Sequence, residues 1–272
     1  MRGYLSYFKS QIIMGLQYKT SAIAGLATQF AWGFIYSFVY FSFYSHANIE
    51  SISFSELISY VWLGQAFFSL GYLGLKDEEM INSIKTGTVA YELSRPYDLY
   101  TWWYIKLLSK RYANVTLRCL PIIIFSLLLP KPYNLSLPIS IGAFLLFGIT
   151  LLLGTFVTTG INMIVQSISF FTMEDKGISS IVYNIGSLLS GFQLPLPLLP
   201  TFIIGLAEYL PFRLIGDLPY RIYSGNIMYP YAIKSITLQI IWIILLIIIG
   251  KIIMKRALKK VCIQGGWYAI IH

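Results

Sequence analysis

The sequence predicts an all-α integral membrane protein with six transmembrane helices. Of its 272 residues, 57% are hydrophobic and 11% are charged, whereas about 25% of the residues in an ordinary soluble domain are charged. Long uncharged runs alternate with polar segments, and about 20 apolar residues cross a bilayer as a helix. These runs place the spans at roughly residues 21–45, 56–75, 111–130, 138–165, 178–197 and 230–253, within one transmembrane domain of residues 1–272.

The first nineteen residues predict a helix that lies along the membrane surface. Lys9 and Gln17 lie on one side of this helix. Apolar residues recur at helical spacing on the other side: Tyr4, Leu5, Phe8, Ile12 and Leu16. An amphipathic helix of this kind lies in the plane of the interface, with its apolar side in the lipid. We therefore expect an interfacial elbow helix at residues 1–19, and the alternative is an unstructured leader.

The basic residues predict which side of the membrane faces the cytoplasm. Six spans place both termini, the tail at residues 254–272 and the 76–110 loop on one side. Four of the 20 Lys and Arg residues fall on the opposite side, which leaves 16 with the termini. Those four are Lys131, Arg213, Arg221 and Lys234. Because cytoplasmic loops carry the excess of Lys and Arg, we expect both termini in the cytoplasm. The net charge of +9 then reflects topology, and we expect no nucleic-acid partner.

The 76–110 loop is the longest connection on the cytoplasmic side, and its first half predicts a short helix. Met80, Ile81 and Ile84 place apolar side chains on one side of that helix. Gly87 can end it, because glycine readily adopts the left-handed conformation that follows many helices. The loop therefore begins with an amphipathic helix and a break.

A second short helix is expected after this break. Thr88 can cap it, and Pro96 limits it because the residue before a proline avoids helical dihedral angles. A short apolar helix with charges at its rim is suited to a groove of a partner protein. The alternative is a helix on the inner leaflet, with Trp102 and Trp103 as membrane anchors. The residues expected at the contact are Ile84, Gly87, Val89, Glu92, Leu93, Arg95 and Pro96.

The region at residues 193–229 predicts irregular backbone within the membrane. Five of the eleven prolines lie there: Pro195, Pro197, Pro200, Pro211 and Pro219. The apolar piece at residues 201–210 is too short to span. Non-helical backbone at membrane depth persists where protein buries it or where it lines a wet cavity. We expect a re-entrant helical pair that enters from outside, and the alternative is a loop on the outer leaflet. Its defining residues are Pro200, Pro211, Phe212 and Pro219.

The first span contains nine aromatic residues in the fifteen positions from 30 to 44. On a helix, four of them form one stripe: Trp32, Tyr36, Tyr40 and Phe43. Aromatic stripes commonly serve packing, and they also offer ring faces to apolar molecules and organic cations. Both interpretations remain open, and the second makes these four residues candidates for a substrate path.

The sequence has no recognisable residues for catalysis, cofactor binding or metal binding. Its Gly250–Lys251 pair is followed by isoleucine, so the phosphate-binding GxxxxGK[ST] loop is absent. Neither a GxSxG nor an HExxH motif occurs. The two histidines, His46 and His272, have no ligand at usable spacing. We therefore expect a protein that is not an enzyme and that holds no cofactor itself.

Three stretches resemble the permease subunits of type-2 ABC exporters: IxxGxVAYELSRPYD from residue 84, PTFIIGLAEYLPFRLIGDLPYRIYSG from residue 200, and ALKKVCIQGGW from residue 257. The resemblance implies six spans, an elbow helix, a coupling helix in the 76–110 loop and the outer re-entrant pair. It also implies that two permeases, identical or related, pair in a bacterial plasma membrane. Each would dock a separate ATPase subunit that binds ATP and Mg.

The resemblance implies export, and the aromatic, weakly charged spans favour an amphiphilic or apolar cargo such as a drug, a lipid or a peptide, as in multidrug efflux. One alternative is a membrane scaffold or immunity protein without transport activity. An ion-coupled secondary transporter is another, which is disfavoured because the predicted spans lack fully embedded charges and show no internal repeat.

Overall fold

The computed structural model describes residues 2–17, 19–46, 51–75, 77–172 and 176–259. The described residues form helices and no strand, which confirms the predicted all-α class. The helices are α1 (Arg2–Gln17), α2 (Lys19–His46), α3 (Phe54–Ala66), α4 (Phe68–Gly71), α5 (Glu78–Lys85), α6 (Val89–Leu93), α7 (Leu99–Leu128), α8 (Ile141–Thr172), α9 (Lys176–Leu189), α10 (Thr201–Tyr209), α11 (Asp217–Ser224) and α12 (Tyr229–Leu258). A 3-10 turn at Leu196–Leu198 precedes α10. From residue 260 onward, the predicted tail lies outside the described residues.

Four of the described helices are long and apolar enough to cross a membrane: α2 from Ala22 onward, α7, α8 and α12. They coincide with the first, third, fourth and sixth predicted spans. Large apolar side chains on α2 and α12 remain exposed, among them Phe38, Ile241 and Ile248. Apolar surface of this extent belongs against lipid or against another apolar protein surface.

The second and fifth predicted spans are shorter in the structure than in the prediction. Helices α3 and α4 together run from Phe54 to Gly71, with an interruption at Phe67. Helix α9 has 14 residues, a length of about 21 Å at the rise of an α-helix. It ends at Leu189 instead of near residue 197, because a turn begins there in which Gly191 adopts a φ of 79°. That these two regions cross the membrane stays a prediction.

Helix α7 begins at Leu99 instead of near residue 111, so the predicted 76–110 loop is too long. Asp98 caps the helix, because its carboxylate accepts a hydrogen bond from the Thr101 N–H at 3.1 Å. Two of the charges that suggested a loop, Lys106 and Lys110, form ion pairs with Asp77. Since Asp77 compensates the charges of these two lysines, α7 can include them. The connection before α7 is therefore shorter than predicted and comprises residues 77–98.

Helix α1 occupies the place of the predicted elbow helix and packs along α7. A Cβ added to Gly15 would lie 2.5 Å from the Cβ of Ala113, so glycine allows the two backbones to approach closely. The ring of Phe8 meets the edge of Tyr112 with centroids 6.0 Å apart. Leu5, which the predicted apolar side includes, is exposed. The position of α1 at the membrane surface stays a prediction.

Helix α8 is central to the fold, and α7, α11 and α12 all pack against it. Gly160 admits α12, because a Cβ there would lie 3.0 Å from the Cβ of Leu246. The amide of Gln239 on α12 donates hydrogen bonds to the carbonyls of Thr150 at 2.8 Å and Leu214 at 2.9 Å. One buried side chain therefore joins α12, α8 and the segment that precedes α11.

Arg111 is a charged side chain that the protein buries, and the expectation that the spans contain no fully embedded charge stays a prediction. It lies within α7 and is completely buried. Its Nη1 donates to three carbonyls at the end of α4: those of Ser69 at 3.0 Å, Leu70 at 3.1 Å and Tyr72 at 2.9 Å. Carbonyls at a helix end lack partners within the helix, so Arg111 satisfies the end of α4 and fixes it to α7.

Candidate functional site

Residues 77–98, which we call the coupling segment after the role predicted from the sequence, begin with a firmly capped helix. The Asp77 carboxylate accepts a hydrogen bond from the Met80 N–H at 3.0 Å and thereby starts α5. Three side chains of α5 are buried, namely those of Met80, Ile81 and Ile84. Gly87, with a φ of 73°, follows the end of α5. The amphipathic helix and the glycine break that the sequence predicts are both present.

The second helix of the coupling segment, α6, differs from its prediction. The Thr88 side chain makes no capping bond, and its hydroxyl lies 2.9 Å from that of Thr86 instead. Val89 is 0% exposed, Ile84 is also buried, and Leu93 is partly buried against the same core cluster. Ile84 and Val89 therefore pack inside the chain, and their contact with a partner stays a prediction. They orient the segment.

Aromatic side chains join the coupling segment to its neighbours. The Trp103 Nε1 donates to Glu92 at 2.6 Å, and Trp103 is itself buried, so it is not a membrane anchor. Trp102 lies between Tyr97 and Tyr7, with ring centroids 4.4 Å and 3.9 Å away and the rings stacked. This stack links α1, the coupling segment and α7.

Ion pairs complete the attachment of the coupling segment. Asp77 is fully buried between Lys106, 3.4 Å away, and Lys110. Burial alone would raise the pKa of Asp77, but the hydrogen bond and charge of Lys110 and the charge of Lys106 outweigh it and hold the pKa below its ordinary value. At the other end, Asp98 pairs with Lys251 of α12 at 3.1 Å. The segment is therefore bonded to α7 and α12.

A cleft of about 880 Å³ opens between α1, the coupling segment and α7. Most of its lining residues are polar or charged: Tyr7, Gln11, Met14, Gly15, Glu79, Asn82, Ser83, Thr86, Thr88, Glu92, Arg95, Tyr97, Trp102, Lys106, Lys110, Ala113 and Asn114. Arg95 and Pro96 are exposed near it, and Tyr91 on α6 is 74% exposed. A buried framework thus presents a polar, accessible surface.

Residues 190–228, which we call the outer segment after the location predicted from the sequence, contain the predicted proline breaks. Pro200 precedes α10, Pro211 follows it, and Pro219 lies in the first turn of α11, where a missing N–H is tolerated. Helix α10 has nine residues and is too short to span. The Phe212 ring lies against Gly186 of α9. The re-entrant arrangement itself stays a prediction.

A buried ionic network holds the outer segment together, and the sequence analysis missed it. Asp217 is fully buried and accepts from Arg213 Nε at 3.2 Å and from Arg221 Nη1 at 3.3 Å. Arg213 also donates to the Tyr231 hydroxyl at 2.9 Å. The Asp217 N–H donates to the Ser190 carbonyl at 3.0 Å. The spacing of four residues between each arginine and Asp217 was the available signal.

An aromatic groove of about 570 Å³ lies between α2, α3, α9 and the outer segment. Three of the four candidate path residues line it, namely Trp32, Tyr36 and Tyr40, whereas Phe43 is exposed elsewhere on α2. The residues that define the groove are Gly25, Thr28, Gln29, Trp32, Tyr36, Tyr40, Tyr60, Val61, Gly64, Gln65, Phe68, Arg118, Tyr183, Gly191, Phe192, Gln193, Pro195 and Tyr220. Most of these were not predicted, because they come from helices far apart in the chain.

The long apolar helices define a multi-pass membrane protein, and comparison with known families gives its class. The family model described as ABC-2 family transporter protein matches residues 26–265. The chain therefore belongs to the ABC-2 transporter family, whose membrane subunits are generally non-catalytic and work with an ABC ATPase. No curated protein matches the sequence.

Proposed function

We propose that this chain is the permease subunit of an ATP-driven exporter, with six spans and both termini in the cytoplasm. A separate ATPase subunit, which binds ATP and Mg, docks on the coupling segment, and a second permease, identical or related, completes the pathway. The observation that carries the proposal is the construction of the coupling segment. It is bonded to α7 and α12 on one side and exposes a polar cleft on the other.

The attachment of the coupling segment provides a route for force. Asp77 connects α5 to α7, Trp102 connects the segment to α1, and Asp98 connects it to α12. When ATP closes the ATPase dimer, a push on the segment would move α1, α7 and α12 together as a largely rigid body. Domain closure of this type changes access to a pathway without deforming the packed interior.

The pathway serves an amphiphilic or apolar cargo such as a drug, a lipid or a peptide. Its walls in this subunit include the aromatic groove, and its outer end is closed by the outer segment, which enters the membrane from outside. Two features support this placement. The groove carries mostly apolar side chains, and residues Gly191 and Tyr220 belong to both the groove and the outer segment.

Charge reversal of Arg95 tests the docking surface. Arg95 is exposed in the lining of the cleft, where it donates a hydrogen bond to the Tyr97 hydroxyl at 3.3 Å, so Arg95→Glu should leave folding intact. Rim charges govern specificity and association rate, and we expect at least about fivefold less ATPase subunit to co-purify, with a matching loss of transport. Lys131→Glu, an exposed charge reversal at the other end of α7, is the matched control.

Leu93→Asp extends this test to the partly buried edge of α6. Loss of ATPase association in Arg95→Glu and Leu93→Asp, but not in Lys131→Glu, supports docking at the coupling segment. Normal association and normally coupled transport in both variants would show that residues 77–98 merely connect helices, and the proposed function would lose its carrying observation.

A further inference from the structure

The aromatic groove combines stacked rings, buried amides and a single sign of charge. We propose that it binds the transported molecule, and that this molecule is a ring-bearing amphiphile without positive charge. The inference rests on the proposed function in one respect, namely that the chain transports a molecule. It goes further by assigning the binding site and the chemical class of the ligand.

One wall of the groove is a ladder of aromatic rings. Trp32, Tyr36 and Tyr40 lie on successive turns of α2. The ring centroids of Trp32 and Tyr36 are 5.6 Å apart with planes 30° apart, and those of Tyr36 and Tyr40 are 6.1 Å apart with planes 15° apart. Tyr183 and Phe192 contribute rings from α9 and the outer segment. Flat ring systems pack well against such walls, because aromatic side chains favour offset or edge contacts.

Gln29 supplies an unsatisfied polar group at the same wall. Gln29 is 5% exposed, and its Oε1 has no hydrogen-bond partner. Gln65 lies in the lining as well, on α3, and is also buried. Leaving a buried amide unpaired is unfavourable. A ligand hydroxyl, amide or similar polar group that reaches Gln29 would remove that penalty, which favours an amphiphile over a pure hydrocarbon.

The charge of the groove selects against cations. Among the described residues that line it, Arg118 is the one charged side chain, and no carboxylate is present. An organic cation would therefore enter a poorly solvated groove beside a guanidinium, with no carboxylate among the described lining residues, which is unfavourable at low dielectric. Of the two cargo types suggested by the aromatic stripe, the structure thus favours the apolar one over the cation.

Three probes with the same ring and tail test this assignment: pyrenebutanol, pyrenebutyrate and pyrenebutyltrimethylammonium. They are titrated against the full chain in phosphatidylcholine nanodiscs without the ATPase, by energy transfer from tryptophan, with empty nanodiscs subtracted. We expect saturable binding of the alcohol and the carboxylate. The cation should bind at least about tenfold more weakly, a factor that corresponds to one decade in Kd.

Variants then place the binding in the groove. Tyr36→Leu removes a ring of the ladder, and Gln29→Leu removes the amide at nearly constant volume. Each should weaken binding of pyrenebutanol about fivefold or more. Phe38→Leu, on the same helix but outside the groove lining, is the matched control and should bind as the parent does. Thermal unfolding of all three variants identifies any that are misfolded, and Tyr36→Phe, which keeps the ring, should restore stacking.

Each outcome decides a separate point. Tight binding of the cation overturns the charge selection, and unchanged binding in Tyr36→Leu and Gln29→Leu overturns the groove as the site. If no probe binds above empty nanodiscs while the ATPase subunit still associates, the groove is overturned as the binding site and the proposed function survives. Probe binding that follows the expected pattern, without any ATPase association, supports the groove and overturns the proposed function.

Discussion

The coupling segment and the outer segment are two interruptions of the helical fold, and they bury their charged side chains to different extents. Both contain short helices and a glycine in the left-handed region, Gly87 with a φ of 73° and Gly225 with a φ of 82°. In the outer segment the charges of Asp217 and Arg213 are buried against each other. In the coupling segment, Asp77 is buried but Tyr91 and the cleft are accessible.

This difference agrees with the closing role proposed for the outer segment and the docking role proposed for the coupling segment. A segment that only closes the end of a helical bundle gains from pairing its buried charges internally, because an unpaired buried charge is costly. A segment that receives a partner must keep part of its polar surface free. A Cβ at Gly191 would overlap the Tyr60 hydroxyl, so the outer segment has no spare room there.

The largest expected effect is that of Asp217→Asn in the outer segment. The change removes the negative charge between Arg213 and Arg221 while it preserves the shape of the side chain. Breaking a buried ion pair from one side leaves an uncompensated charge and costs about 3–5 kcal/mol. We expect this loss in the free energy of unfolding, measured by thermal or denaturant unfolding in detergent.

Glu208→Gln is the matched control for Asp217→Asn. Glu208 contacts the same Arg213 at 3.3 Å, but its side chain is 44% exposed. Exposed ion pairs contribute about 0–1 kcal/mol, so this variant should unfold almost as the parent does. Equal stability of the two variants would mean that the outer network is not a closed, buried structure, and the contrast between the two segments would disappear.

The middle effect concerns Asp77, which fixes α5 to α7. Its folded pKa lies below the ordinary value, so its contribution is fully present above that value and is lost as the pH falls through the folded pKa. We expect the protection of the α5 amides in hydrogen exchange to be constant above about pH 5 and to fall in the acid range below 3.8.

Asp77→Asn removes the acid dependence and keeps an N-capping side chain. Because hydrogen bonds to charged groups contribute about 1.5–3 kcal/mol and Lys110 is partly exposed, we expect about 2 kcal/mol less protection of α5 at neutral pH. If α5 in the parent loses no protection in acid, then Asp77 does not hold the coupling segment in place.

Hydropathy predicted the long helices because spanning runs of apolar residues need no particular partner. α8 and α12 follow directly from such runs. The start of α7 at Leu99 could not be predicted in this way, since Lys106 and Lys110 resemble loop residues until the fold brings Asp77 beside them. Tertiary ion pairs of this kind leave no periodic signal in the sequence.

Glycine and proline predicted where the backbone breaks, but not which side chains face outward. Pro200 and Pro211 bound α10, and Gly87 follows α5. Orientation depends on packing: the spacing of Val89 and Leu93 suggested an apolar contact with a partner, whereas the structure places Val89 in the core. The aromatic stripe likewise identified part of the groove lining, while Gln29 carried no sequence signal because its burial depends on helices distant in the chain.

The smallest expected effect on stability belongs to Tyr91, and it gives the sharpest test of the comparison. Tyr91 is 74% exposed on α6, two residues from Val89, which is 0% exposed. Substitutions at exposed sites usually change the free energy of unfolding by less than about 0.5 kcal/mol. Tyr91→Ala should therefore unfold as the parent does.

If Tyr91 is an interface anchor, however, its loss should be large where the ATPase subunit binds. Tyrosine is enriched among interface hot spots, which contribute about 2 kcal/mol or more, and this corresponds to an increase in Kd of roughly thirtyfold.

Val89→Ala provides the opposite case, because shortening a buried side chain costs about 1–2 kcal/mol of stability and leaves the docking surface in place. The measurement is the Kd of the detergent-solubilised chain for its ATPase subunit, beside the unfolding midpoint of each variant. Weaker association in Tyr91→Ala with unchanged unfolding, and the reverse in Val89→Ala, would separate the exposed contact from the core that supports it. Association that depends on Val89 and not on Tyr91 would mean that the partner binds only after α6 leaves the core, and the coupling segment would then be a switch and not a rigid handle.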